Sequence, residues 1–571
     1  MEKIVKHWQI DHPLTPEAEQ SLKDFPYPLR QILFNRGYTT PATALDFLAA
    51  TPPPNTEPTN LLDMQAAVDR LTWAMAKREK IAVYGDYDVD GVTATALLVQ
   101  ALSSLGAQCI RYIPNRFEEG YGLNVEALDH LKRDGVKLVV TVDCGVRSLT
   151  EAQYAKDIGL DMIITDHHHP GELLPDVLAV IDPKRPDDTY PDKDLAGVGL
   201  AFKLTKALIE SLESTGQLER NAIKDAEFLD LVALGTVADL APLINENRNL
   251  VRSGLEAIRQ PRRQGLQALI GASGLLANRI QASDIGFVLG PRLNAAGRLD
   301  SALDAYELLT TTDINQAGIL AQRLDIQNRE RQKITRTIQA KAEEIALAED
   351  PDTLLLFAAD GEFNPGVVGL AASRLSERYY RPAIVAHMGT SHTRASCRSI
   401  PEFHITDALD RFTELMEHHG GHAAAAGFTV RNENLKPLIE GLKDIAEEQL
   451  SDKDLRPVLR ADLEIQLSDL IPEILEQLDV LQPTGYGNPQ AVFVSRELKV
   501  MDHRLVGKDG NHLKLTLSDG WITYDAIAFG QGYWHESMPL FVDAIYNFER
   551  NEFNGIERLQ LRVKDLKPTN S

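Results

Sequence analysis

Cysteine is scarce: the 571 residues contain three, Cys109, Cys144 and Cys397. Thiols so few and so spaced form neither a disulfide framework nor a zinc site, which fits a reducing compartment. No apolar run approaches the ~20 residues that span a bilayer, and the opening MEKIVKHWQI lacks an apolar core of signal-peptide length. A cytoplasmic protein with no membrane attachment is expected. Basic charge is also in deficit, with 59 Lys and Arg against 83 Asp and Glu, a net charge of -24. That excludes a protein whose whole surface coats nucleic acid, so any phosphate-binding surface must be local. What the chain does have is a globular composition, 43% hydrophobic and 25% charged. At this length it should hold about three or four packed domains.

The stretch TPPPNTEP, Thr51 to Pro58, cannot continue a helix or a central strand, and it closes a short lead spanning 1–60. From Ile81 to Asp182 apolar runs alternate with helical ones: IAVYG, GVTATALLVQALSSLG, CIRYIP, NVEALDHLKRDG, KLVVTVDCG, DMIITD and VLAVID. This alternation predicts an α/β domain with a parallel, doubly wound sheet. Residues 197–305 read as mostly helical, with FLDLVALGTVADL as the most regular amphipathic segment. Leu320, Leu324, Ile334 and Ile338 then fall at helical spacing in a stretch without proline, predicting one long connecting helix. A second α/β region follows. Between Asp444 and Asp479 there are 11 acids against three bases, the composition of a linker and a domain start. The remainder is rich in short alternating runs, which predicts a small antiparallel barrel. The expected limits are 61–311, 312–350, 351–454 and 455–571.

Four acidic or histidine clusters end apolar runs: Asp86, Asp88 and Asp90 after IAVYG, Asp143 after KLVVTV, Asp166, His167 and His168 after DMIIT, and Asp239 closing a helical run. At the carboxyl edge of a parallel sheet such side chains converge on one site. Each cluster alone reads as a solvated loop. Together, so many carboxylates would repel one another unless a multivalent cation neutralised them, and imidazole beside oxygen ligands suits manganese better than calcium.

These residues resemble the DHH phosphoesterase superfamily, named for the triplet at Asp166, His167 and His168. GDYDVDGVTATALL, VTVDCG, TDHH, GVGLAFKL, GTVADLAPL, GPRLNAAGR, GVVGLAASRL, CRSIP, GGHAAAAGF and GYGNPQ stand in the order expected of RecJ, the family of single-stranded-DNA exonucleases. The resemblance covers residues 60 to 530. It implies DHH, DHHA1 and OB-fold domains and two divalent cations, Mn2+ or Mg2+. One cation would be held by Asp88 and Asp143, the other by Asp90, Asp143, His167 and Asp239, with His168 facing the scissile phosphate and Asp86 behind the ligands. It further implies a 5'-phosphate pocket from Arg298, Ser396 and Arg398, a substrate role for His422, and release of 5'-mononucleotides in DNA repair and recombination. Single-stranded-DNA-binding protein and a helicase are the implied partners of a monomer. The chain departs from the pattern at Tyr84, where some members carry a metal-binding histidine, and at Phe363-Asn364, where relatives often carry Trp-His.

The charge distribution is consistent with a strand-binding cleft. Arg323 to Lys341 holds six bases and two acids, and Ser373 to Arg398 five bases and one acid. A local basic track funnels one strand while the acidic remainder discourages coating; a solvated helix face is the bland alternative. In the barrel, Tyr486, Phe493, Trp521 and Tyr524 are candidates for base stacking, against the usual core role of barrel aromatics. Short-oligonucleotide or cyclic-dinucleotide phosphodiesterases, inorganic pyrophosphatases and non-catalytic Cdc45-like scaffolds also use the DHH core. The residues beyond Arg460 disfavour the first. The pyrophosphatases need neither the basic track nor the barrel, and the intact acidic set disfavours the scaffolds.

Overall fold

The computed structural model describes residues 5–116, 119–120, 122–553 and 556–569. The first α/β domain is built on five parallel strands in the order Gln108–Tyr112, Lys80–Gly85, Val136–Val142, Asp161–Thr165, Ala179–Ile181. Their central residues are apolar on both faces, as helices covering each side of a parallel sheet require. Helix Val89–Ser104 supplies much of one cover and is buried along most of its length. Its internal threonines are tolerated because Thr93 and Thr95 donate to the carbonyls of Val89 and Gly91 at 2.8 and 2.7 Å, so no hydroxyl is left unbonded. Helix Leu229–Ala238 differs from its expected amphipathic character: residues 230–237 are all buried. An all-round apolar helix is a core helix, and this one lies against Val89–Ser104 and Gly197–Ser214.

The expected connector is helix Ile314–Leu347, 34 residues long, started by the Asp313 carboxylate accepting from the amides of Asn315 and Gln316. Leu320, Leu324 and Ile338 are buried along it. It leads to a mixed five-stranded sheet in the order Met416–His422, Ala425–Arg431, His392–Arg398, Ala383–Met388, Leu356–Asp360. The GGHAAAAG segment forms the edge hairpin of this sheet, with Gly420 opposite Gly427.

Five strands, Phe493–Val506, His512–Ser518, Thr523–Ala528, Phe541–Phe553 and Ile556–Pro568, close into the expected barrel, because the first pairs with the fourth as well as the second. Phe493 and Tyr524 are in its core, while Trp521 and Tyr486 are exposed. The amino-terminal lead packs here: strand His7–Ile10 runs parallel to Val458–Ala461, and Leu22, Leu29, Ile32, Leu33 and Phe47 share the barrel's apolar core. Arg248, fully buried on helix Asn245–Arg259, ties the lead, the barrel and the first domain together. It donates to the carbonyls of Phe47, Leu481 and Pro483 at 2.8, 2.9 and 3.1 Å. Burial lowers its pKa to about 10. Among the described residues no helix is long and apolar enough to cross a membrane.

Candidate metal centre and the cleft above it

Strand Lys80–Gly85 has Gln108–Tyr112 on one side and Val136–Val142 on the other, so the chain leaves it first in one direction and then in the other. A crevice opens at the carboxyl ends of strands where the order reverses, and three of the four predicted clusters sit there. The Asp88 carboxylate caps helix Val89–Ser104, accepting from the amides of Asp90 and Gly91 at 2.9 and 3.1 Å. Asp90 is turned inward, and its two oxygens accept from the amides of Gly197 and Val198 at 2.7 and 2.8 Å. Those amides open helix Gly197–Ser214, whose positive end stabilises a carboxylate.

Two glycines make room for these acids. A Cβ on Gly197 would lie 2.6 Å from Cβ and 2.8 Å from Oδ1 of Asp143, and one on Gly91 would lie 2.6 Å from the backbone of Asp86. Asp143 itself has φ 62, a left-handed conformation that aspartate tolerates better than most residues. Its amide donates to the Thr165 carbonyl at 3.0 Å. Asp166 does not point at the other acids. It accepts from the amides of Val146, His167 and His168 at 2.9, 2.8 and 3.1 Å and lies 2.7 Å from Nδ1 of His168. The first member of the triplet thus orients the other two.

The His167 ring nitrogen Nε2 lies 3.1 Å from Asp143, 3.7 Å from Asp239 and 3.8 Å from Asp90. Three ligand-type sets have their atoms within 4.8 Å of one another: Asp90 with His167 and Asp239, Asp86 with Asp88 and Asp143, and Asp143 with His167 and His168. Burial, followed by mutual repulsion, raises Asp90 to about 7 and Asp239 to about 8. The same two causes hold Asp86 and Asp143 well above the carboxylate range. Burial also lowers His167 to about 3, with the charge of His168 next. His168 behaves oppositely: burial opposes its charge, but the Asp166 hydrogen bond raises it to about 9. Among the described residues, buried Asp86 Oδ1 has no hydrogen-bond partner, and Asp143 Oδ1 and His167 Nε2 have only their 3.1 Å approach to each other, outside hydrogen-bond geometry. Unsatisfied acceptors amid crowded carboxylates are what a pair of divalent cations would relieve, so the donor set fits the expected metals.

Every predicted member of the metal set is therefore gathered in one cluster, with a carboxylate oxygen of Asp86 within 4.8 Å of those of Asp88 and Asp143. Tyr84 faces away: its hydroxyl donates to the Gly122 carbonyl at 2.9 Å, and its ring stacks on Tyr112 at 4.9 Å. Among the described residues no side chain replaces the histidine of other members directly; the neighbouring carboxylate of Asp86 is the available donor. Asn364 turns its carboxamide oxygen back onto the Gly366 amide at 2.8 Å, a loop-shaping bond. Asp182, at the end of strand Ala179–Ile181, was not singled out from the sequence. It is fully buried, with Oδ1 accepting from the Lys184 amide at 2.8 Å and burial raising it to about 7. Its position after a short apolar run was the available signal.

The second α/β domain approaches the first beside this centre at two points. On one side the rings of His169 and His422 lie 6.0 Å apart. On the other, Arg298, at the end of helix Gly290–Leu299, donates to the Gly366 carbonyl at 3.4 Å. Ser396 and Arg398 alternate on strand His392–Arg398 and so share a face. A Cβ on Gly369 would lie 3.4 Å from the Ser396 hydroxyl and 3.2 Å from the Arg398 guanidinium, which places both beside the amino end of helix Val368–Tyr379. Burial, then Arg116 and Arg331, lower Arg298 to about 10, and burial also lowers Arg398, with Arg116 contributing. Arg116 stands over the Tyr87 ring at 5.1 Å. Guanidiniums crowded at a helix amino terminus form an anion site. Arg116 and Arg331 had no sequence signal beyond their charge.

Comparison with known proteins agrees with this architecture. Residues 80–236 match the DHH family N-terminal domain, 352–448 the DHHA1 domain and 461–565 the RecJ OB domain. The single-stranded-DNA-specific exonuclease RecJ of Bacillus subtilis (strain 168) is 37% identical over 564 residues, 98% of this chain and 70% of the relative. That of Escherichia coli (strain K12) is 39% identical over 526 residues, 89% of this chain and 91% of the relative. The crystal structure of RecJ in complex with Mn2+ from Thermus thermophilus superposes with a TM-score of 0.84 at 30% identity, covering 99% of this chain and 80% of that one. With three matching domain models in order and relatives this similar along nearly the whole length, the chain belongs to the RecJ family of DHH phosphoesterases.

Proposed function

We propose that this chain is a metal-dependent exonuclease that degrades single-stranded DNA from the 5' end and releases 5'-mononucleotides. The observation that carries the reading is an acidic metal-type centre with a cluster of half-buried arginines to one side of it. Asp88 and Asp143, joined by Asp86, would hold one Mn2+ or Mg2+; Asp90, Asp143, His167 and Asp239 would hold the other. Such a pair of cations supplies an activated water and neutralises charge developing on phosphate. Asp143 is the carboxylate common to both ligand sets. His168, kept charged by Asp166, would face the scissile phosphate as a hydrogen-bond donor. Arg298, Ser396 and Arg398 bind the terminal 5'-phosphate with the amino end of helix Val368–Tyr379, and this fixes both the polarity and the one-nucleotide step. His422, on the facing hairpin, meets a backbone phosphate.

The domain limits are proposed as 1–60 for the lead, 61–311 for the DHH domain, 312–350 for the connector, 351–454 for DHHA1 and 455–571 for the OB domain. Work in the cytoplasm in repair and recombination, as a monomer supplied with strand by a helicase and by single-stranded-DNA-binding protein, belongs to the same reading. Asp143→Ala tests it. Hydrolysis should disappear, whereas binding to single-stranded DNA, carried by the arginines and the barrel, should largely persist. Near-normal turnover by this variant would overturn the two-metal assignment.

A further inference from the structure

Phe287 is 84% exposed, an unusual setting for a phenyl ring in an ordered helix. It lies within the π-helical segment Ile285–Leu289, which runs directly into helix Gly290–Leu299. Such π segments occur often at functional sites. The combined helix lies across the metal centre. A Cβ on Gly290 would meet the Ala238 side chain at 3.3 Å, one residue before Asp239, and one on Gly297 would meet the Tyr87 carbonyl at 2.7 Å, one residue before Asp88. Arg298 therefore stands at the Asp88 end of the centre and Phe287 beyond the Asp239 end, about 16 Å apart at 1.5 Å per residue. Helical spacing puts Asn294 and Arg298 on one face of the α-helical part, and Phe287 stands on the π-helical turn that leads into it.

Two further apolar side chains continue from that end. Leu240 follows Asp239 immediately and is 68% exposed; its φ of 61 closes helix Leu229–Ala238, with the Ala241 amide donating back to the Thr236 carbonyl, and turns its side chain out beside the centre. Tyr486 of the barrel is 65% exposed, and its carbonyl accepts from the Leu243 amide at 2.7 Å. The π segment packs on helix Leu229–Ala238, which ends at Asp239, and the Leu243–Tyr486 bond joins the following loop to the barrel, so all three exposed side chains stand on elements that run from the Asp239 end of the centre to the barrel.

We infer that Phe287 is a stacking platform for an unpaired base of the single strand on the 3' side of the scissile linkage, with Leu240 and Tyr486 continuing the same track. The inference rests on the proposed exonuclease reading, since a strand whose 5'-phosphate is held near Arg298 and whose linkage lies over the metals must leave past Asp239. An aromatic face binds bases without regard to sequence, as a processive exonuclease requires, and it discriminates against duplex, whose bases are already stacked.

The test uses the full chain with Mn2+ and 5'-phosphorylated oligonucleotides that carry one abasic residue at successive positions from the 5' end. With the native protein, kcat/KM should fall by about 10-fold when the missing base is the one that Phe287 would hold. Phe287→Ala should lower kcat/KM by about 10-fold on the intact strand and flatten the positional profile. Phe287→Trp should preserve the profile, which separates stacking from a structural role, and unchanged thermal unfolding of both variants checks the fold. A native protein indifferent to base removal, or a Phe287→Ala variant with the native positional profile, overturns the inference. Failure of the native protein to release mononucleotides at all would instead refute the parent reading.

Discussion

Gly197→Ala is a one-carbon perturbation aimed at the centre of the proposed site. The added Cβ would lie 2.6 Å from Cβ and 2.8 Å from Oδ1 of Asp143, whereas ordinary contact begins at 3.4 Å. Asp143 would have to retreat by about 0.8 Å, or the start of helix Gly197–Ser214 would have to move and disturb the amides that hold Asp90. Either movement exceeds the ~0.5 Å within which a catalytic constellation works, and a misplacement near 1 Å costs on the order of 100-fold in rate. Helix propensity acts in the opposite direction, because alanine is favoured over glycine by up to about 1 kcal/mol. The variant should therefore fold with a melting temperature near the native value yet release mononucleotide about 100-fold more slowly at saturating Mn2+, with weakened Mn2+ affinity. Gly271→Ala, on helix Gln264–Ser273 with nothing within 4 Å of its Cβ position, is the control and should keep full activity. Native turnover by Gly197→Ala would refute the argument that close packing against Asp143 sets the geometry.

Asp90 and Asp239, raised by burial to about 7 and about 8, lie above the unfolded carboxyl value near 4, so the folded metal-free protein holds extra protons and loses stability as pH rises from about 4 to 8. Cations displace those protons, so the rise in melting temperature caused by Mn2+ should be larger at pH 8 than at pH 5.5, and calorimetry showing an equal rise at both would contradict the ligand assignment. Arg398→Ala removes a charge-assisted contact worth about 1.5–3 kcal/mol, so cleavage at limiting substrate should fall by roughly one to two orders of magnitude. The preference for a 5'-phosphate over a 5'-hydroxyl strand should narrow with it, and an unchanged preference in a competition assay would exclude this pocket. Arg248→Met removes the fully buried guanidinium that joins the lead, the barrel and the first domain and leaves several carbonyls unpaired, so unfolding in urea should shift down by about 2–4 kcal/mol; a shift below about 0.5 kcal/mol would contradict its role as a staple.

The parallel sheet, the long helix and the barrel were legible in the sequence because each depends on a local period. The acidic set was legible for a topological reason: in a parallel sheet whose order reverses, Asp88 and Asp143 end adjacent strands, so residues far apart in sequence meet. Leu229–Ala238 was expected to be amphipathic, but it is apolar nearly all round and covered on every side, so its even spread of apolar residues rather than any one face was the signal of a core helix. What a local reading misses depends on partners. The lead carries no signal that Leu22, Ile32 and Phe47 close the barrel's core. Gly197 and Gly91 read as ordinary helix-start glycines until the carboxylates they admit are seen. Asp166 matches the triplet but serves His168 and the local amides, whereas Asp86 faces the metal-type set. The basic track was visible as charge, but convergence of Arg116, Arg298 and Arg398 requires the fold.

The most direct measurement is the order in which label leaves a 5'-phosphorylated single strand in the presence of Mn2+. Label placed at the 5' terminus should appear at once as mononucleotide, while label at the 3' terminus should stay in progressively shorter strands, and duplex of the same sequence should resist. Early release of 3'-terminal mononucleotide, or equal cleavage of duplex, would contradict a site in which the arginine pocket holds the 5' end beside the metal centre.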